Sequence, residues 1–336
     1  MKKFFYLLLL LLVLSAVGAY QVLYAPNVNA EKRVSVKIPT GSSYEDVLRI
    51  LKENEVLKNE FGFSVVSKLK KYPDHVNSGY YVFNKGMNNR QIVNILRAGL
   101  QTPVTLVIYN IRTKDEFAGL VGRTLELDSN EVLAQLNDGK FCKTLGTDTS
   151  KVLSKFIVDN YEFYWNISFD KFIDKLNAAY DKFWNEERKA KATALNLSPT
   201  EVTTLASITE KEVIRDKELP TVAGVYLNRL RIGMPLQADP TLVFALRDFD
   251  AKRVTSYHKD FDTPYNTYKY AGLPPGPICM PRKKCIDAVL NFEEHKYLFF
   301  CANPDMSGYS LFSVSYEDQM KVAAQYRKKL NAMNIH

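Results

Sequence analysis

Two glutamates, two residues apart in the run Leu205-Ala-Ser-Ile-Thr-Glu-Lys-Glu212, are the side chains best suited to acid–base chemistry. A carboxylic acid can give a proton to a leaving oxygen and take another back. It needs burial or a neighbouring charge to hold its proton near neutral pH. On a helical wheel Val202, Leu205, Ala206, Thr209 and Val213 share one apolar face. Glu210 falls on one shoulder of that face, a turn after Ala206, and Glu212 falls on the other, beside Leu205. Residues two apart on a helix do not face each other, so the two are not a catalytic pair. A shoulder position removes part of the water around a carboxylate and favours its protonated form. The helix alone leaves a competing reading open, in which both glutamates are solvated and pair with Lys211 or Arg215.

The next polar groups lie downstream. Gln237 and Asp239 follow Gly233, a helix-ending glycine. Thr263-Pro-Tyr-Asn-Thr-Tyr268 and Gly272-Leu-Pro-Pro-Gly-Pro-Ile278 fall in a long stretch, 262–281, rich in proline, glycine and tyrosine. Long loops without regular structure are uncommon and often functional. Aromatic faces stack on pyranose rings, and Asn, Thr and Tyr hydrogen-bond hydroxyls, so this loop suits a sugar. Tyr265, Asn266 and Thr267 are the candidates for positioning it, and Gln237 and Asp239 are weaker ones. A purely structural loop, and a purely capping Asp239, remain as alternatives.

No other chemistry competes well. There is no Gly-rich phosphate loop and no G-x-S-x-G elbow. Cys142, Cys279, Cys285 and Cys301 match no zinc spacing, and His75, His258, His295 and His336 are scattered. No metal and no cofactor are expected. A Cys279–Cys285 bridge has no support beyond spacing, and buried free thiols are the simpler reading. The net charge of +8 suits a membrane surface or an acidic polymer, or is a solubilising surface. The basic residues form no aromatic-interleaved stripe, so nucleic acid is not expected as a partner.

The elements that must position these groups read as follows. Residues 1–25 hold Lys2 and Lys3 and then an apolar run from Phe4 to Ala19, extended to Tyr24. That length approaches the roughly 17–25 residues that span a bilayer. We read an uncleaved signal-anchor with a cytoplasmic N-terminus, although Ser15–Ala19 leaves a cleaved signal open. Residues 26–33 read as a linker. Residues 34–99 read as a β-α-α-β module with one added helix, whose strands are Val34–Ile38 and Gly79–Phe83. Residues 100–194 read as an α+β connecting region: a strand at Thr102–Tyr109 and helices near 113–121, 129–137 and 169–190. Residues 195–332 carry most motifs. Ser198-Pro-Thr-Glu201 is a capping box that opens a helix to about 215. A second helix covers about 220–232, and a third starts at Asp239. A hairpin of Tyr297–Cys301 with Tyr309–Ser313 and a final helix to about Leu330 follow. The fold class is α+β: an N-terminal transmembrane helix, a small β-α-α-β module and a mixed α+β catalytic domain.

Five ordered runs carry a family resemblance: Leu205–Glu212, Val222-Ala-Gly-Val-Tyr-Leu-Asn-Arg-Leu230, Gly233-Met-Pro-Leu-Gln-Ala-Asp-Pro-Thr241, Pro264-Tyr-Asn-Thr-Tyr268 and Gly272–Ile278. They resemble the endolytic murein transglycosylases of the MltG/YceG-like type. The resemblance implies a lyase of the bacterial cell inner membrane, single-pass, with its C-terminal domain on the periplasmic or outer side. It implies that 34–99 is a LysM-like module. It implies a lytic transglycosylase that cuts the MurNAc-GlcNAc bond of nascent peptidoglycan glycan strands and limits their elongation. The first glutamate of the E-K-E run, Glu210, is then the acid/base. It would protonate the glycosidic oxygen and take the proton of the muramic C6 hydroxyl, which closes a 1,6-anhydro end. Peptidoglycan synthases are candidate partners. The family's usual F-P-(D/N)-T-Y run is Ile157-Val-Asp-Asn-Tyr161 here, so no role passes to Asp159; the usual S-I-V-E is Ser207-Ile-Thr-Glu210. A hydrolase of the same bond and a non-catalytic wall-binding scaffold remain the alternatives.

Overall fold

The computed structural model describes residues 2–29, 31, 33–251 and 253–332. It is a mixed α+β chain that begins with helix α1 (Lys2–Tyr24). No charge follows Lys3 in that helix, and it is long and apolar enough to cross a membrane. Its 23 residues extend about 34 Å, against a hydrocarbon core of roughly 30 Å. A signal sequence shares these features.

Two compact units follow from the contacts: one holds the chain to Leu106 with Val121–Asp128 and Tyr161–Phe169, and the other holds the rest. The expected connecting region, 100–194, is thus divided between them.

In the first unit, β1 (Arg33–Ile38) pairs antiparallel with β2 (Gly79–Asn84). Helices α2 (Tyr44–Glu53) and α3 (Glu60–Leu69) lie between them in sequence, and α4 (Asn89–Arg97) follows. This is the β-α-α-β unit with one added helix. Each helix has its start signal: Ser43, Asn59 and Asn88 all cap through their side chains. The core comprises Val36, Ile38, Val47, Leu51, Phe63, Val66, Tyr81, Phe83, Ile92 and Leu96. The expected linker at 26–33 is corrected in its first half. Pro26 bridges Asn88, Val28 bridges Leu57, and Val28 is buried in the core. Buried Asn27 holds this turn, accepting from the Asn59 N–H at 2.7 Å and donating to the Asn59 carbonyl at 3.0 Å. Strands β3 (Val104–Val107) and β4 (Asn160–Phe163) form a further pair.

In the second unit, α5 (Lys114–Thr124, whose last turn belongs to the first unit), α6 (Ser129–Asn137) and α7 (Gly139–Thr144) lead to α8 (Phe169–Phe183) and α9 (Glu186–Ala194). A single helix over 169–190 was expected. The chain instead breaks at Trp184, fully buried, and Asn185 caps α9 by accepting from the Arg188 N–H at 3.0 Å. The centre is α10 (Pro199–Glu212), α11 (Leu219–Arg231) and α14 (Lys283–Leu290), packed around Val202, Leu205, Ala206, Val222, Tyr226, Ile286 and Val289. Between α11 and α14 come α12 (Asp239–Leu246), α13 (Ser256–Asp260) and the long loop. Strands β5 (Phe299–Ala302) and β6 (Ser310–Ser313) make the expected hairpin, and α15 (Tyr316–Ala332) closes the described chain.

Candidate active site

Helix α10 starts as its capping box dictates: the Ser198 N–H donates to Glu201 at 2.8 Å and the Glu201 N–H returns to Ser198 Oγ at 3.3 Å. It ends three residues earlier than expected. Val213 is extended, at φ −93° and ψ 127°, so Glu212 is the last helical residue. That end carries the negative pole of the helix, which disfavours a carboxylate.

Glu212 lines a cavity of about 300 Å³ together with Asp239, Pro240, Val243, Phe244 and Ile278. Its carboxyl is pushed up to about 7. Burial is the main cause and the Asp239 charge the second; a hydrogen bond from Tyr226 and the Arg229 charge oppose them. Tyr226 lies in the core beneath, and burial next to Glu212 holds its phenol protonated. Asp239 accepts a hydrogen bond from Tyr268 Oη. Arg229, also buried, donates to the carbonyls of Leu298 at 2.7 Å and Leu236 at 2.5 Å, which ties α11 to the start of α12. One titrating acid thus faces a cavity, with a second carboxylate and two phenols behind and beside it.

Glu210 has different surroundings. Its Oε2 accepts the Arg282 backbone N–H at 2.7 Å, and its Oε1 accepts Arg282 Nε at 2.7 Å. Cys285 also donates to it. The Glu210 side chain is 13% exposed, and its oxygens are spent on the first turn of α14. Glu210 lies outside the cavity wall that Glu212 shares with Asp239. Glu210 and Glu212 do diverge on opposite shoulders of the helix, as its periodicity requires.

The other sequence candidates separate into two groups. Asp239 is at the cavity beside Glu212. The expected Asp239 cap is replaced: Ala238 occupies the cap position with no side-chain bond, and Asp239 is the first helical residue, bound to Tyr268. Gln237 is exposed, adopts φ +50° and donates its N–H to the Thr267 carbonyl at 2.9 Å. Asn266 is fully buried. Its amide donates to the Lys259 and Phe261 carbonyls at 2.9 and 2.7 Å, and its oxygen accepts from the Tyr268 and Lys269 N–H groups at 3.0 and 3.3 Å. Thr267 is buried and bonds Ala238 and Thr241, both at 3.0 Å. Tyr265 packs against Phe244, 5.1 Å between ring centres with the rings tilted by 51°, and lines an adjoining cavity of about 290 Å³. The loop is strapped to α10 where the Ile278 N–H donates to Ser207 Oγ at 3.0 Å. At Gly276 a Cβ would lie 2.2 Å from the Ser150 carbonyl oxygen, so only glycine lets these segments meet.

Sequence reasoning did not single out Tyr226, Arg229 or Tyr268 for the site. Tyr226 and Arg229 sit in an apolar helical run and read as core. Asp159 pairs with Lys283. All four cysteines are free thiols, and burial pushes Cys279 and Cys285 up to about 12.

Residues 36–325 match the YceG-like family model. The chain is 29% identical to an endolytic murein transglycosylase of Bacillus subtilis strain 168, over 90% of this chain and 87% of that one. It is 28% identical to an endolytic murein transglycosylase of Streptococcus pneumoniae R6, covering 98% of this chain and 66% of that relative. A crystal structure of a yceG-like protein from Listeria monocytogenes superposes with a TM-score of 0.61 at 30% identity, over 87% of this chain and 99% of that one. The match spans both units and every element of the cavity, and the chain belongs to the YceG-like family.

Proposed function

We propose that this chain is an endolytic lytic transglycosylase that cuts the MurNAc-GlcNAc bond of nascent peptidoglycan strands, with Glu212 rather than Glu210 as its acid/base. The observation that carries the assignment is a single one: Glu212 opens onto a cavity and titrates at about 7, while the Glu210 oxygens are bound to Arg282. A general acid works best with a pKa near the working pH. Most glycoside hydrolases pair two carboxylates that divide the acid and nucleophile or base roles. Here one carboxyl suffices. Protonated Glu212 gives its proton to the glycosidic oxygen as the C1–O bond breaks. The resulting carboxylate takes the proton of the muramic C6 hydroxyl, whose oxygen bonds to C1. Glu212 is reprotonated, a 1,6-anhydro end forms, and no water is consumed.

Asp239, held by Tyr268, keeps Glu212 protonated by like-charge repulsion. Asn266 and Thr267 set the path of the loop, and Tyr265 offers an aromatic face beside it. Helix α1 acts as a single-pass anchor in the cytoplasmic membrane with the C-terminal domain outside. The β-α-α-β module acts as a LysM-like contact to the glycan, and cutting near the membrane limits strand elongation. The test is digestion of purified peptidoglycan and weighing of the new muramic ends. Ends one water lighter than hydrolysis products are expected. Ordinary reducing ends would replace the transglycosylase with a hydrolase, and no new ends would replace it with a scaffold.

A further inference from the structure

The walls of the Glu212 cavity and of its neighbour are basic. Arg112 and Phe244 line both, so the two cavities adjoin. Arg112, Lys211 and Arg253 line the first part, and Lys114 and Arg247 the second. Arg247 is paired with Asp115 at 3.1 Å, and Lys114 donates to the Asn137 side chain and the Thr149 carbonyl. The first three differ. The Arg112 guanidinium lies over Phe249, 4.6 Å from the ring centre, and Lys211 Nζ donates only to the neutral Asn110 side chain at 2.9 Å. Among the described residues, no carboxylate pairs with the side chain of Arg112, Lys211 or Arg253. These three cations thus line the Glu212 cavity without a salt bridge.

A glycan backbone of N-acetylated sugars carries no charge, so nothing in its rings would neutralise three unpaired cations. The charge in such a strand hangs from the lactyl arm of the muramic sugar, either as the lactyl acid itself or as an acidic peptide attached to it. We propose that Arg112, Lys211 and Arg253 form a subsite for carboxylates on that arm. The inference rests on the glycan-strand reading above and adds substrate selection to it. Guanidinium and ammonium groups bind carboxylates through charge-assisted hydrogen bonds. Arg112, held over its ring, is the preorganised member; Lys211, next to Glu212 in sequence, and Arg253 line the same cavity. The subsite gives local form to the net charge of +8.

The test measures binding separately from cleavage. Four soluble strands of equal length are offered: with acidic peptide stems, with the stem carboxylates amidated, with the free lactyl acid, and with the lactyl group as a neutral methylamide. Binding to the Glu212→Gln chain is followed by calorimetry, and KM and kcat are measured on the wild-type chain. Either acidic strand should bind about tenfold or more tighter than its neutral partner, with a matching change in KM and little in kcat. Which acidic strand gains more identifies the source of the carboxylate. Lys211→Gln and Arg253→Gln should each shrink that gap while leaving neutral strands unchanged. Arg112→Lys should retain part of it, because the charge stays and the fork is lost. Equal binding of acidic and neutral strands overturns the subsite, as does a variant that weakens both kinds equally. If Glu212→Gln still cleaves, the catalytic assignment falls while the charge-dependent binding still decides the subsite.

Discussion

At the scale of the residue, the balance around Glu212 sets a pH dependence. Its carboxyl titrates at about 7 in the folded chain instead of the usual 4.5. The folded state therefore holds this proton more tightly than the unfolded one. The stability linked to it is complete below 4.5 and is lost as pH rises to 7, a difference of roughly 3 kcal/mol. Glu212→Gln removes that loss. In thermal melts between pH 5 and 8, the variant should gain on wild type by several degrees as pH rises; a constant gap contradicts the raised pKa. The same proton is the catalytic one, so kcat/KM should fall as pH passes 7. Asp239→Asn removes a charge that raises Glu212, and the alkaline limb should move to lower pH.

Glu210 makes the opposite prediction. Its two 2.7 Å bonds to Arg282 tie α10 to α14 through a largely buried pair. Glu210→Gln keeps the shape and loses the charge, leaving Arg282 only Asp216, at 3.0 Å. We expect a loss of about 1–3 kcal/mol of stability in denaturant titrations, with cleavage at low temperature reduced far less than by Glu212→Gln. Helix phase identified both glutamates and set them apart. It could not choose between them, because the choice depends on Arg282, 72 residues away.

At the scale of the element, the long loop is a structural strap as much as a binding surface. Asn266 spends its amide on four backbone groups between Lys259 and Lys269. Asn266→Ala should leave several buried polar groups unpaired and lower stability by about 2–3 kcal/mol, with loss of activity from the displaced loop. An unchanged unfolding midpoint would count against this role. The loop's existence and motifs were legible in its proline, glycine and tyrosine. The inward turn of Asn266 and Thr267 was not, since composition does not tell a hydroxyl aimed at a ligand from one aimed at a carbonyl. The start of α10 was legible because a local side chain, Ser198, makes its cap, whereas the Asn185 cap of α9 falls inside what reads as one helix. Helix ends were less so: α10 stops at Glu212, with no glycine or proline there to mark it.

At the scale of the whole molecule, the sequence shows the order of the parts and misses how the chain crosses between them. The first unit recruits Val121–Asp128 and Tyr161–Phe169 from the middle of the chain, a long-range choice that no local pattern encodes. The same holds for residues 26–28, polar enough to read as linker yet sealed into the module by Asn27 and Val28. The Val22 carbonyl at the end of α1 accepts from buried Asn89 at 2.8 Å. The length and apolar character of α1 predict that the chain stays in the membrane fraction and resists alkaline carbonate extraction with α1 uncleaved. A released form that starts after Ala19 would identify a signal sequence instead.

The assignment of Glu212 is tested most directly by comparing Glu210→Gln and Glu212→Gln chains with wild type on the same peptidoglycan, counting anhydro ends by mass spectrometry. Wild type should give anhydro ends, Glu210→Gln should give them at a lower rate, and a folded Glu212→Gln chain should give none. Anhydro ends from Glu212→Gln, with none from a folded Glu210→Gln chain, would contradict the assignment.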